Sequence, residues 1–122
     1  MPPRTALLIR CIPEDAAQIH HYAALERRTV SGYVLNVLDR TLRVEESLWQ
    51  KLGQAHFLEL NRMPDRLTAR RRGHTTTILI RCSREEARRI RTAAERREIT
   101  ISTFVTYSLR RFWVVAAGRS AP

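Results

Sequence analysis

Two short runs carry the same side chains, Leu-Ile-Arg-Cys at 8–11 and again at 79–82. Each sets one arginine, Arg10 or Arg81, among β-favouring apolar residues. A guanidinium is a planar fork of donors, suited to a phosphate or to the paired acceptors on a guanine edge. A second set bears hydroxyls: Thr29 and Ser31, then Thr100 and Ser102, each pair at the start of an apolar helical stripe with no acid in its first turn. Hydroxyls and open N–H groups at a helix start suit an anion, and ordinary N-capping by Ser31 and Ser102 is compatible with that role. A third set is the tribasic Arg70, Arg71 and Arg72. The histidines (His20, His21, His56 and His74) have no cysteine or acid at metal-ligand spacing. Cys11 and Cys82 read as small core residues. With no Gly-rich phosphate loop and no Ser/His/Asp pattern, no catalytic, metal or cofactor site is expected.

These residues recur because the chain repeats itself. A gapless shift of 71 residues lays 5–42 onto 76–113, and fourteen of the 38 pairs are identical, among them Arg10/Arg81, Thr29/Thr100 and Ser31/Ser102. That is a tandem duplication. Each copy opens with a short β-rich run, 5–11 or 75–82, too short to stand alone as a sheet. A helix follows. In copy 2 it opens on the capping box Ser83-Arg84-Glu85-Glu86, and in copy 1 on Pro13 with Glu14 and Asp15 behind it. Apolar residues then recur at Ala16, Ile19, Ala23 and at Ala87, Ile90, Ala94. After a break near Thr29 or Thr100, a second helix starts at about Ser31 or Ser102. Its stripe is Tyr33, Val34, Val37, Leu38, Leu42 in one copy and Phe104, Val105, Leu109, Phe112, Trp113 in the other. One strand cannot satisfy its own backbone, and two short helices bury little. Two copies solve both problems, with the strands paired as an antiparallel ribbon over four helices. The expected fold is mainly α with a two-stranded antiparallel β-ribbon.

Charge narrows the partner. The 122 residues hold 22 Lys+Arg against 12 Asp+Glu, a formal net charge of +10, and Lys51 is the one lysine. Such an excess fits a polyanion, either nucleic acid or an anionic membrane face. No apolar run approaches the roughly 18 residues of a membrane span, and the N-terminal stretch is too short for a secretory signal. Two cysteines without a CxxC fit a reducing cytoplasm. Copy 1 is neutral, with four arginines and four acids, whereas copy 2 has nine arginines and four acids. Unequal copies predict unequal grips.

The Leu-Ile-Arg-Cys strand, the Pro-Glu-Asp or Arg-Glu-Glu helix start and the Thr-x-Ser turn, in that order twice, resemble the ribbon-helix-helix (Arc/MetJ-type) DNA-binding family. The resemblance spans roughly 76 residues and divides the chain into repeats 1–42 and 76–122 and a joining segment, 43–75. It implies an intrachain pseudo-dimer whose ribbon enters the major groove of double-stranded DNA. With Leu7, Ile9, Cys11 and Ile78, Ile80, Cys82 turned inward, Ala6, Leu8, Arg10 and Thr77, Leu79, Arg81 face the bases. Arg10 and Arg81 would read guanine, Thr77 would hydrogen-bond, and Leu8 or Leu79 would meet a thymine methyl. The apolar Ala6, Leu8 and Leu79 depart from the polar face usual in the family. A slipped register would bury Leu8 at the cost of burying Arg10. By resemblance, Thr29, Ser31, Thr100 and Ser102 grip phosphates, while Arg70, Arg71 and Arg72 supply a backbone arm.

The resemblance further implies a bacterial, phage or plasmid-borne protein of the cytoplasm, acting at the nucleoid. Its expected role is transcriptional repression. The alternative is an antitoxin or a conjugation accessory protein, whose joining helix binds a protein partner through residues 44–60. That segment carries Leu48, Trp49, Leu52, Ala55 and Leu58 in helical rhythm, ended by Met63-Pro64, and its plainer roles are to cover the core or extend the preceding helix. The free protein is expected as a monomer, with higher assembly reserved for DNA, and membrane binding is not expected.

Overall fold

The computed structural model describes residues 4–60 and 75–120, with backbone alone at 55–60 and 118–120. Among these residues the chain is mainly helical, with one two-stranded antiparallel sheet. The order is β1 (Arg4–Cys11), α1 (Pro13–Leu25), α2 (Val30–Leu60), β2 (Thr76–Ser83), α3 (Arg84–Arg96) and α4 (Ile101–Ser120).

The strands alternate as a half-buried ribbon must. Leu7, Ile9, Cys11, Ile78, Ile80 and Cys82 are buried, and the residues between them face out. Leu8 is the Cα partner of Leu79, its own equivalent under the 71-residue shift. Outward from that centre Ala6 opposes Arg81 and Arg10 opposes Thr77. Sheet pairing therefore runs within one chain.

The helix starts follow local chemistry. Ser83 accepts the Glu86 N–H at 3.0 Å while Glu86 accepts the Ser83 N–H at 2.8 Å, so the capping box is complete. α1 starts on Pro13, where a missing N–H costs nothing. Both first helices end through a residue in left-handed conformation, Arg27 (φ 55°) and Glu98 (φ 57°). The core beneath the ribbon is continuous: Ile19, Tyr33, Val34, Leu38, Ile90, Phe104, Val105 and Leu109 are among its fully buried members.

One expectation changes. The second helices begin one residue early, at Val30 and Ile101, because their caps are Thr29 and Thr100 and not the serines. Thr29 Oγ1 accepts the Gly32 N–H at 3.0 Å, and Thr100 Oγ1 accepts the Thr103 N–H at 3.1 Å. The apolar segment after residue 43 extends α2, one of its plainer expected roles, as far as Leu60, and Gly53, where φ is 72°, breaks the run into two helical pieces. Its expected end at Met63-Pro64 lies outside the described residues. So do Arg70, Arg71 and Arg72. Among the described residues no helix is long and apolar enough to cross a membrane.

Candidate nucleic-acid interface

The outward ribbon face is a grid of three cross-strand pairs: Ala6–Arg81, Leu8–Leu79 and Arg10–Thr77. All six residues are exposed. At about 3.4 Å per residue the end pairs stand some 14 Å apart, the rise of about four base pairs. The two arginines occupy diagonal corners, one contributed by each strand. Phase explains this. Because Arg10 and Arg81 are equivalent residues on antiparallel strands, they fall at opposite ends of the grid on the same face.

The second-helix starts are fastened to the ribbon by a reciprocal pair of hydrogen bonds. The Arg10 backbone N–H donates to Ser102 Oγ at 2.9 Å, and the Arg81 backbone N–H donates to Ser31 Oγ at 2.8 Å. Each serine thus satisfies an edge N–H beside a proposed base reader. Its oxygen accepts from the strand and its own O–H remains available to donate. Such bonds join residues 92 and 50 positions apart, so no local pattern in the sequence announces them.

Thr29 and Thr100 sit at the same helix starts in capping roles. Thr100 also donates to Thr103 Oγ1 at 2.8 Å. The intrahelical ladder begins with Tyr33 N–H to the Thr29 carbonyl and Phe104 N–H to the Thr100 carbonyl. With the threonines taking the Gly32 and Thr103 N–H groups, the first two N–H groups of each helix are left over. Neither helix has an acid in its first turn, so the positive end of each dipole is unanswered. All ten described site residues therefore gather along the ribbon and its two flanking helix starts.

No protein-family model, curated protein sequence or solved structure matches this chain.

The remaining chemistry-bearing groups belong to the core and its rim. Burial pushes the Cys82 thiol up, with Glu86 adding to the shift and Arg91 and Arg4 opposing it, so it stays protonated near neutral pH. The first part of the joining segment is occupied within the chain. Glu45 pairs with Arg97, Glu46 with Arg89, and the Arg96 guanidinium lies 4.4 Å from the Trp49 ring centroid. The helical rhythm of 44–60 does not show these partners, which come from α3 and from Arg97 just after it.

Proposed function

We propose that this chain is a sequence-specific double-stranded DNA-binding protein, built as a tandem ribbon-helix-helix unit in which one copy serves as the other's dimer partner. The observation that carries the reading is the reciprocal fastening of Ser31 to Arg81 and Ser102 to Arg10. It ties each acid-free helix start to the strand residue expected to read a base. A ribbon lying in the major groove would carry Arg10 and Arg81 to guanine O6 and N7. The two helix starts would meet phosphates on either side, through leftover N–H groups and the serine O–H. The net charge of +10 supports a polyanionic partner. Transcriptional repression is the role most in keeping with such a grip.

The test is duplex binding across a salt series, after selection of bound sequences from a random pool. A DNA-binding protein loses affinity steeply with salt. Arg81→Ala is expected to remove about 1–3 kcal/mol of specific binding and relax preference at one position, and Arg10→Ala to do so at the other end. Unchanged affinity and preference in both variants exclude the ribbon as reader. A second reading, a protein-interaction module, draws on the exposed Val44 and Val115 beside half-buried Phe112. It predicts no salt-steep duplex binding at all.

A further inference from the structure

Leu8 and Leu79 stand at the centre of the outward face, 69% and 43% exposed. Exposed leucines scattered singly need no explanation, but two opposed across a ribbon make one apolar patch. Directly opposed side chains on paired strands have Cβ atoms about 5 Å apart, so the two act as a unit. Ala6 widens the patch on one side, while Arg10 and Arg81 close it at diagonal corners.

The arginines also select the occupant. Two copies stacked ribbon to ribbon would bring cationic corners together around the leucines, whereas a polyanion is drawn to the same corners. Within the major groove one base substituent is apolar, the C5-methyl of a pyrimidine. Against any other base edge, the leucines would cover donors and acceptors without replacing their water hydrogen bonds, at a cost that grows with burial.

Resting on the DNA-binding reading above, we propose that Leu8 and Leu79 form a methyl-reading centre. The bound duplex then carries C5-methylated pyrimidines at its central steps, with guanines outside them under Arg10 and Arg81. Thymine and 5-methylcytosine present the same group. The grid is unequal, since Arg81 stands opposite Ala6 and Arg10 opposite Thr77. The preferred site is therefore a pseudo-palindrome whose flanks differ on the Thr77 side.

The experiment uses the full chain and a duplex selected from a random pool. Replacing the central thymines by deoxyuridine removes the methyl groups and nothing else. From the transfer free energy of one buried methylene-sized group, affinity should fall roughly fourfold per methyl. A Leu8→Ala/Leu79→Ala double variant should bind the selected duplex more weakly and respond no further to deoxyuridine. Both leucines are exposed, so this variant keeps its core, and an unchanged thermal transition checks that. Replacing the central T·A pairs by C·G should also weaken binding. If 5-methylcytosine then restores it, any C5-methyl is read; if it does not, while deoxyuridine still weakens binding, the reading is confined to thymine. A selected duplex without a preference for T·A pairs at its centre, or equal binding of thymine and deoxyuridine duplexes, overturns the methyl-reading centre while leaving DNA binding intact. No selective, salt-steep binding to any duplex overturns both.

Discussion

The two copies share fourteen residues yet fasten their helices by different means. Helix α3 is held to α2 by charge. Arg89 grips Glu46 through two hydrogen bonds of 2.9 and 2.8 Å and reaches Asp39 at 3.5 Å, while Arg97 meets Glu45 in a pair almost wholly shielded from solvent. Helix α1 is held to α4 by one ion pair, Arg110 to Asp15 at 2.7 Å, and otherwise by rings. Tyr22 stacks on Trp113 and on Tyr33, with centroids 5.9 and 6.2 Å away, and Trp113 Nε1 donates to the Tyr33 hydroxyl at 2.8 Å. The equivalents of those three rings are Ala93, Phe104 and Leu42. The charges are also opposed in sense. Asp39 on α2 corresponds to Arg110 on α4, and Gln18 on α1 corresponds to Arg89 on α3. A copy 1 facing another copy 1 would set Asp15 against Asp39, and a copy 2 facing another copy 2 would set Arg89 against Arg110. The two repeats thus carry complementary charges where they meet, so unlike faces pair in this chain.

The largest expected effect lies on the ionic side. Glu45→Ala takes the carboxylate away from the Arg97 guanidinium, whose side chain is 5% exposed, and should cost about 3–5 kcal/mol. Asp15→Ala should cost less, because Arg110 is 41% exposed and can turn to water. Urea denaturation of both variants measures the difference. Equal losses would mean that the two sides are not fastened differently.

Next in size is the pairing sense itself. Arg110→Asp puts two carboxylates together beside buried Asp15 and should destabilise strongly. Adding Asp15→Arg restores opposite charges in reversed order. A double-mutant cycle should return a favourable coupling of about 0.5–3 kcal/mol. A coupling near zero would reduce the charge complementarity to surface decoration.

Particular residues show what was legible beforehand. Strand phase came through because alternation is a local property, and it placed Leu7, Ile9, Ile78 and Ile80 inward together with the outward six. The capping box at Ser83 and Pro13 at a helix start were equally local. Periodicity names the face of a helix but not what lies against it. Hence Trp49 reads only as one member of an apolar rhythm, and Glu45 and Glu46 carry no signal at all, although the three are ring and ion-pair partners of α3 and of Arg97 just after it. The plainer role of the serines, N-capping, fails for a related reason. Thr and Ser two positions apart, as at 29/31 and 100/102, are both good caps, and only the cross-chain position of the strand N–H groups decides which hydroxyl caps and which reaches the ribbon.

The two fastenings should also answer to opposite ends of the pH scale. Burial raises the Tyr33 phenol above its ordinary value of 10.0, against the opposing hydrogen bond from Trp113. The folded chain then holds a proton that the unfolded chain has released. The stability linked to it is full below pH 10 and lost as pH rises through the higher folded value. Arg89 beside Glu46 holds that carboxyl below its ordinary value of 4.5. The stability linked to it is present above pH 4.5 and lost as pH falls through the lower folded value. Glu46→Gln should flatten the acid limb slightly, since the pair is partly exposed. Tyr33→Phe should flatten the alkaline limb and cost about 1 kcal/mol at neutral pH for the lost hydroxyl partner. Buried Cys82 shifts in the same alkaline direction from 9.0, so the difference between wild type and Tyr33→Phe isolates the phenol. Unfolding midpoints across the pH range test both limbs.

The smallest effect is expected where the copies agree. Arg27 and Glu98 are equivalent, and each holds φ near +56° just after a first helix. There the next N–H closes back on the helix, Arg28 onto the Ala23 carbonyl at 2.9 Å and Ile99 onto the Ala94 carbonyl at 3.1 Å. A side chain in that left-handed conformation costs about 1–2 kcal/mol, and glycine relieves it. Glycine also gives the unfolded chain more freedom, which takes back about 0.5–1 kcal/mol. Arg27→Gly and Glu98→Gly should therefore each stabilise by up to about 1 kcal/mol. The two gains should match despite the opposite charges removed, because both come from backbone geometry that the copies share. A gain at one position and a loss at the other would trace the difference to Arg27 or Glu98 side-chain contacts, extending the divergence of the helix faces into the turns.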